Sequence, residues 1–177
     1  MDTSSLTNRL MRVLRFDASV YREVATDTNA FQGAIVIVAV AALLANLNAL
    51  IQVSIVAYII YAILTVVGFF VYAAAAAEVA KRFFQGKTDF NEMARTLGYT
   101  YMWYALGILA LVAAPLTWIG SIVAWIAGVI ALRESAEFDT VKAVVTVIVA
   151  GIIAFVLQFL LGLVLGLIGL GALLRPG

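Results

Sequence analysis

The chain has 177 residues, of which 65% are hydrophobic and 12% are charged, and its formal net charge is +1. A soluble domain carries about a quarter charged residues, so this composition excludes a water-soluble globular fold. Cysteine and histidine are absent. Their absence excludes disulfides, thiolate metal sites and the commonest general base near neutral pH. The small net charge gives no electrostatic case for binding nucleic acid.

Apolar runs of roughly 18 or more residues recur, and each is long enough to cross a hydrocarbon core of about 30 Å. We therefore predict an all-α, polytopic integral membrane helical bundle with five transmembrane helices, preceded by an N-terminal amphipathic interfacial helix. A cytoplasmic leader is predicted over residues 1–29 and a five-span membrane domain over residues 30–177. The predicted spans cover residues 31–50, 53–80, 99–114, 116–132 and 143–174.

The leader is predicted to contain a basic amphipathic helix. Its apolar residues recur at helical spacing: Leu6, Leu10, Val13 and Leu14. Its other face carries Asn8 and three arginines: Arg9, Arg12 and Arg15. Asp17 is placed to cap a second short helix. Because basic amphipathic helices beside a span usually lie among lipid headgroups, these arginines are predicted to contact anionic lipid or a partner protein.

Spans 1 and 2 are predicted to form an antiparallel hairpin, because only a short polar segment separates them. The alanine run over residues 73–77 predicts that another helix packs closely against span 2. Glu78 lies one turn from Lys81 and Arg82, which predicts an ion pair at the membrane interface.

The longest charged segment inside the chain, KRFFQGKTDFNEMARTLGY, covers residues 81–99. Asp89 followed by Glu92 predicts the start of a helix. That helix is amphipathic by its spacing and runs into span 3 at Gly98, with Arg95 facing away from its apolar side. The sequence therefore predicts a cytoplasmic turn followed by an amphipathic helix.

Spans 3 and 4 are predicted from the uncharged segment between Arg95 and Arg133, which has Pro115 near its middle. Because basic residues prefer the cytoplasmic side, the chain is expected to enter the membrane and return. Each arm is near the lower length limit for spanning, so a re-entrant hairpin is the alternative.

Span 5 follows a second charged loop, residues 133–142, and Asp139 or Thr140 is predicted to cap it. Gln158 near its middle is predicted to hydrogen-bond to a neighbouring helix. Gly162 and Gly166 form a pair of small residues that lets another helix pack closely. We expect packing within the chain, with a homo-oligomer through span 5 as the alternative.

All basic residues except Arg175 fall on one side of the membrane if there are five spans. Basic residues are enriched in cytoplasmic loops, so this distribution predicts a cytoplasmic N-terminus and an outside C-terminus. The predicted location is the plasma membrane, as a multi-pass protein.

Three segments in a fixed order carry a family resemblance. They read RVLRFDASVYREVATDTNAFQGAIVIV, GKTDFNEMARTLGYTY and ALRESAEFDTVKAV. In order and spacing they resemble the YIP domain family, named for Ypt/Rab-GTPase-interacting proteins, in its short prokaryotic-type members. The resemblance covers most of the chain, and Gly98 and Tyr99 match a Gly-Tyr signature near the start of span 3.

The resemblance implies an all-helical, five-span protein that is not an enzyme and that binds partners or shapes membrane. Eukaryotic members carry an acidic Asp-Leu-Tyr-Gly-Pro motif that this sequence lacks, so the resemblance does not carry Rab binding to this chain.

The predicted function is therefore a non-enzymatic membrane scaffold or adaptor that works through its cytoplasmic face. The candidate contacts to a partner or to lipid are Arg9, Arg12, Arg15, Lys87, Arg95, Gly98, Tyr99 and Arg133. The ordinary alternative is interface chemistry, with snorkelling arginines and a belt of aromatic residues after Gly98. The expected partners are membrane lipids and a cytoplasmic or membrane protein.

A second hypothesis is a passive transporter or channel for small molecules or lipids. Its path would be lined by Thr65, Ser121, Thr146 and Gln158. No ionisable residue lies in the middle of a predicted span, which argues against ion-coupled transport. No catalytic, metal or cofactor residue is predicted, because no histidine exists to activate a nucleophile.

Overall fold

A computed structural model describes residues 3–167, and all regular structure in that range is helical. The α-helices are α1 Thr3–Leu14, α2 Ser19–Thr26, α3 Ala30–Ala45, α4 Leu47–Gln52, α5 Ile55–Phe84, α6 Phe90–Thr100, α7 Thr117–Ser135 and α8 Thr140–Leu167. Two 3₁₀ helices, Tyr101–Leu111 and Ala114–Leu116, lie between α6 and α7. We call the longer one the 3₁₀ segment.

Four helices of the described chain are long and apolar enough to cross a membrane. They cover Ala30–Gln52, Ile55–Phe84, Trp118–Ser135 and Thr140–Val164. These four correspond to predicted spans 1, 2, 4 and 5. The predicted end of span 5, residues 168–174, lies outside the described residues.

The predicted span over residues 99–114 is not a membrane-length α-helix. Tyr99 and Thr100 end α6, and the 3₁₀ segment continues the chain to Leu111. Close packing accompanies this change of geometry. A Cβ on Gly107 would lie 2.8 Å from the Cα of Ala45, and a Cβ on Gly120 would lie 2.5 Å from the backbone oxygen of Trp103. The 3₁₀ helix is the tighter form, and here it lies against two neighbouring backbones.

The α6 helix and the 3₁₀ segment together run beside α3 in the same direction. In the first part of α3, a Cβ on Gly98 of α6 would lie 2.6 Å from the Cβ of Ala34. Further along, the close approach of Gly107 to Ala45 repeats this contact. Glycines at both points let the backbones touch, as small residues do in membrane helix packing.

The three charged parts of the chain meet at one end of the bundle. There Arg22 Nη2 lies 2.6 Å from Glu134 Oε2, and a Cβ on Gly86 would lie 2.6 Å from the ring of Phe138. We define the charged end as the leader, residues 81–95 and residues 133–142. The end of α5, the loop before α8 and the leader therefore lie together.

The core combines small residues of α5 with large residues of α6. Ala73, Ala76 and Ala77 are buried, which confirms the close packing predicted from the alanine run. Met93 and Leu97 are also fully buried in the same cluster. The outward faces of α5 and α8 expose large apolar side chains, as expected where lipid is the solvent.

The first leader helix lies against the protein, with its apolar side toward the core. Val13 is fully buried, and Leu6 and Leu10 pack against the core cluster. Leu14, predicted to share this face, is 44% exposed because α1 ends there and the chain turns. Burial against the bundle, rather than among headgroups, accounts for most of the apolar side.

Candidate functional site

The leader folds as a helical hairpin with its turn at Phe16, which has a φ of 55°. Asp17 Oδ1 accepts hydrogen bonds from the backbone N–H and the hydroxyl of Ser19, at 2.9 and 2.6 Å. Arg12 Nε donates to the other carboxylate oxygen at 2.8 Å. The hydrogen bonds from Ser19, supported by Arg12, lower the pKa of Asp17 to about 2. The turn is therefore held by a carboxylate that is ionised at any physiological pH.

Two arginines of α1 bind acidic residues of α2 and of the segment after it. Arg9 Nε donates to Glu23 at 2.8 Å, and Arg9 Nη2 donates to Asp27 at 2.6 Å. Arg12 also pairs with Glu23. The hydrogen bonds from Arg12 and Arg9 lower the pKa of Glu23, and the bond from Arg9 lowers that of Asp27. The guanidinium groups of Arg9 and Arg12 are therefore already engaged by carboxylates of the leader.

Arg15 and Lys87 differ from Arg9 and Arg12 in their surroundings. Both are exposed, and neither makes an ion pair with any of residues 3–167. Lys81 is exposed in the same way at the end of α5. These three cations are the ones that the charged end offers to an external anion.

Gly98 and Tyr99 join α6 to α3 and to the leader. Gly98 lies against Ala34, as described above, and the hydroxyl of Tyr99 lies 2.7 Å from where a Cβ of Gly33 would be. Tyr99 is 1% exposed, and Arg9 lies close enough to interact with its hydroxyl. The two residues are internal, so they shape the charged end from inside and do not form its surface.

Arg95 is buried, against the prediction that it faces away from the protein. It is 9% exposed, and its Nη2 donates to the backbone oxygen of Ala25 at 2.6 Å. The prediction was wrong because α2 covers the side of α6 that local spacing had assigned to solvent. The Nε atom of Arg95 is also buried, and it has no hydrogen-bond partner among the described residues. Arg95 therefore fastens the end of α2 to α6.

Arg133 lies at the second junction, between α2 and the end of α7. Its guanidinium pairs with Glu134 at 3.0 Å, and Glu134 also binds Arg22. The Glu134 side chain is only 10% exposed, so both arginines partly enclose it. This shared carboxylate connects the leader to the 133–142 loop.

A polar cavity of about 290 Å³ lies between the leader and the start of α3. We call it the leader pocket. Its polar lining groups are Ser5, Arg9, Asp27, Asn29, Gln32 and Tyr99. Since it contains both an arginine and a carboxylate, its charge is balanced.

The residues assigned to helix packing have different surroundings. Gln158 Nε2 donates to the backbone oxygen of Leu64 on α5 at 3.0 Å, and a Cβ on Gly68 would overlap this amide nitrogen. Nothing lies within 4 Å of where a Cβ of Gly162 would be. Gly166 lies in α8, and its surroundings are outside the described part of the structure. Gln158 thus adds a side-chain hydrogen bond to the packing of α8 against α5.

A second cavity, of about 370 Å³, lies between α5, the 3₁₀ segment, α7 and α8. We call it the membrane cavity. Its polar and aromatic lining includes Thr65, Tyr72, Thr100, Tyr101, Tyr104, Trp125 and Gln158. Sequence reasoning assigned Tyr101 and Tyr104 to an interfacial belt and did not single out Tyr72 or Trp125. The sequence contained one signal for this cavity. Gly68, Gly128 and Gly151 lie on three different spans, and a glycine leaves room for side chains of neighbouring helices.

The family comparison covers most of the chain. The family model described as Yip1 domain matches residues 11–163. The match begins in α1 and ends near the close of α8, so it includes the membrane cavity and all of the charged end except residues 1–10 of the leader. No curated protein and no solved structure matches the chain.

Proposed function

The chain belongs to the Yip1 domain family, and on that premise we propose that it is a non-enzymatic membrane scaffold or adaptor that binds a partner through its charged end. One observation carries the proposal: three segments far apart in sequence form a single surface. Arg95 holds the leader through Ala25, and Arg22 holds the 133–142 loop through Glu134. A surface fixed in this way is preorganised, which lowers the ordering cost of binding.

The exposed groups at the charged end favour an acidic protein surface as the partner. Arg15, Lys81 and Lys87 are free to meet carboxylates. Phe83, between these lysines, is 73% exposed and supplies an aromatic group of the kind enriched at interfaces. The charges of Arg9, Arg12 and Arg133 are already paired within the chain, so these residues stabilise the charged end and do not contact the partner.

Five crossings are part of the proposal, with the 3₁₀ segment inside the third. The end of α5 and the start of α8 lie at the same end of the bundle, because Gly86 contacts Phe138. The chain between them must therefore cross the membrane an even number of times. If α7, a candidate membrane span, makes one crossing, α6 and the 3₁₀ segment together supply the other. Their parallel path beside α3 supports the same count.

The orientation and the position of the leader follow from this count. The charged end carries the basic residues, so it is placed in the cytoplasm of a plasma-membrane protein, with the C-terminus outside. Among the leader residues that the structure describes, Met11, Leu14 and Phe16 are the large apolar ones left exposed, at 47%, 44% and 42%. We place these three at the headgroup layer, where an amphipathic helix lies on the membrane.

The test is site-specific photocrosslinking in intact membranes. A benzophenone amino acid placed at Lys87 or at Arg15 should give a discrete protein adduct. The same group at Gln52, which is exposed where α4 ends at the opposite end of the bundle, is the matched control. Loss of the Lys87 adduct on Arg15→Glu would support a docking surface. Protein adducts at Gln52 alone, or only lipid adducts at Lys87, would contradict it.

A passive path for small molecules or lipids is the second candidate function, and the membrane cavity is the observation that favours it. Thr65 and Gln158 of the predicted path line this cavity, whereas Ser121 and Thr146 are not among its lining residues. Liposomes that contain the purified protein should then show added solute leakage or lipid flipping. Permeability equal to that of empty liposomes would leave the scaffold as the better proposal.

A further inference from the structure

The membrane cavity lies at mid-depth in the bundle. It is lined by Tyr72 near the middle of α5, Gly128 near the middle of α7 and Gly151 near the middle of α8. All three helices are candidate membrane spans. The cavity therefore opens among hydrocarbon chains and lies far from the headgroups at either surface.

Gly128 is the lining glycine at which a side chain can be added without a clash. A Cβ at this position would make ordinary van der Waals contacts with the hydroxyl oxygen of Tyr72, at 3.7 Å, and with Cγ2 of Val147, at 4.0 Å. By contrast, Trp125 covers Gly151, where a Cβ would lie 2.7 Å from the indole, and Gln158 fills the notch at Gly68. Of the three lining glycines, Gly128 thus accepts a Cβ without a clash, whereas a Cβ on Gly68 or Gly151 would collide with a side chain.

Polar groups line the cavity without any charge among the described residues. The side chains of Tyr72, Tyr101 and Tyr104 bring three hydroxyls to its wall. Gln158 adds a carboxamide whose nitrogen is already bonded to Leu64. Hydroxyls in a hydrocarbon environment are stabilised by a hydrogen-bond partner, and hydrocarbon chains offer none.

This geometry limits the chemistry of an occupant. A phosphate or ammonium group at mid-depth would have to leave water without an opposite charge on the cavity wall, which is costly. A saturated chain would fill the space but offer no partner to the hydroxyls of Tyr72 and Tyr101, whereas Tyr104 already has the indole N–H of Trp125 as a partner. An uncharged molecule with an apolar body and one oxygen satisfies both conditions, and the volume falls in the range of roughly 300–1,000 Å³ typical of ligand sites.

We propose that the membrane cavity binds an uncharged membrane amphiphile, with an apolar chain against the aromatic rings and a hydroxyl oxygen held by the tyrosine hydroxyls. The inference concerns a site inside the membrane and is separate from the partner surface at the charged end.

The experiment uses a hexadecanol probe that carries a mid-chain diazirine and a terminal alkyne. The full-length protein is reconstituted in phosphatidylcholine liposomes, irradiated and mapped by mass spectrometry. Labelling should concentrate on Tyr72, Tyr101 and Trp125, saturate with probe, and be displaced by unlabelled hexadecanol. A phosphatidylcholine bearing the same diazirine chain should label the outer faces of α5 and α8 without saturation.

Two glycine variants make a matched pair. Gly128→Leu places a side chain in the cavity beside the Tyr72 hydroxyl and should reduce saturable labelling by about tenfold or more, a loss of roughly 1.4 kcal/mol or more in binding. Gly162→Leu changes a glycine of α8 with nothing near it and should leave saturable labelling unchanged. Equal, unsaturable labelling of both variants would mean that the probe samples only bulk lipid, and would overturn the proposal.

A smaller substitution tests the proposal even if Gly128→Leu does not fold. Tyr72→Phe keeps the ring and removes one hydroxyl, so the affinity for hexadecanol should fall by about two- to tenfold, the value of one neutral hydrogen bond. A hexadecane probe with the same diazirine and alkyne but no hydroxyl is the control, and Tyr72→Phe should not change its labelling. Equal affinity for both probes in the unmodified protein, or saturable labelling by phosphatidylcholine, would refute the proposed chemical class.

Discussion

Arg95 donates a 2.6 Å hydrogen bond to the backbone oxygen of Ala25, a residue 70 positions earlier in the chain. This bond ties the charged middle segment to the leader. It also gives the charge at position 95 a structural role inside the protein, in addition to any effect on topology.

Replacing Arg95 with methionine should loosen the leader. The change removes a hydrogen bond from a charged donor, worth about 1.5–3 kcal/mol, and leaves the oxygen of Ala25 without this partner. Hydrogen exchange of α1 and α2 in detergent should become faster, with little change in α8. Lys87→Met, at an exposed position, is the control and should leave leader exchange as it is. Equal exchange in both variants would show that Arg95 does not hold the leader.

Gly33 and Tyr99 should be energetically coupled. Gly33→Ala brings a methyl group to 2.7 Å from the Tyr99 hydroxyl and should destabilise the protein by about 1–3 kcal/mol. Tyr99→Phe removes that oxygen, so the double variant should recover part of the loss. Thermal unfolding of all four proteins gives the coupling energy directly. Additive losses would mean that the two residues do not share this contact.

Gln158 and Gly68 offer a second pair, inside the membrane. Gly68→Ala forces the Gln158 amide away from the oxygen of Leu64 and should lower the unfolding temperature. Gln158→Ala alone should cost only about 0.6 kcal/mol, an average value for a hydrogen bond between membrane helices. In the Gln158→Ala background, Gly68→Ala should be nearly neutral. Gly162→Ala is the control for adding a methyl group to a helix without contact.

Acid should release the leader hairpin. The pKa of Asp17 is lowered to about 2 from an ordinary value of 3.8, and the pKa of Glu23 and of Asp27 is lowered as well. A lowered pKa in the folded state contributes stability above the unfolded pKa and loses it as the pH falls toward the folded value. The hairpin should stay closed above about pH 4.5 and open between about pH 4 and pH 2.

The fluorescence of Trp103 is a suitable measure of this opening. Its ring stacks on Phe16 at the hairpin turn, with 5.3 Å between centroids. In a Trp118→Phe/Trp125→Phe background, emission from Trp103 should shift over the acid range, and Asp17→Asn should weaken the transition. A shift centred near neutral pH would contradict these carboxylates as the titrating groups.

Single cysteines can test the five crossings, because the chain has no native cysteine. Val112→Cys, at a position that is 81% exposed just after the 3₁₀ segment, should react with an impermeant maleimide added outside the cell. Lys87→Cys should react only after the membrane is opened. Val112→Cys that reacts only from inside would make the segment from α6 to α7 a re-entrant hairpin and, because the crossings between α5 and α8 must be even in number, would reduce the count of crossings to three.

Local chemistry was enough to predict several helix starts and pairs. Asp89 accepts the backbone N–H of Glu92 at 2.8 Å, and Asp139 accepts that of Lys142 at 2.9 Å, as their spacing indicated. The ion pair of Glu78 with Arg82, at 2.6 Å, is likewise confirmed. Each of these depends on residues within four positions of one another, which is why the sequence alone reveals them.

Features that depend on distant residues were beyond the sequence. The burial of Arg95 requires that α2 cover α6, and nothing in the segment around Arg95 encodes that. The 3₁₀ segment has the composition of an ordinary span, and its geometry accompanies backbone contacts with Ala45 and Gly120. The membrane cavity needs side chains from four elements to converge, so a list of aromatic residues could not reveal it.

The ion pair of Arg22 with Glu134 joins residues that are 112 positions apart. A ribosome that adds about 5–20 residues per second needs roughly 6–22 seconds to make the second partner after the first. During that time the leader hairpin can already close on its own through Arg9, Arg12 and their carboxylates, because all of them lie within the first 27 residues. Docking of the leader onto Glu134 is thus a late step of biogenesis, which takes place only after α6 and α7 have been synthesised.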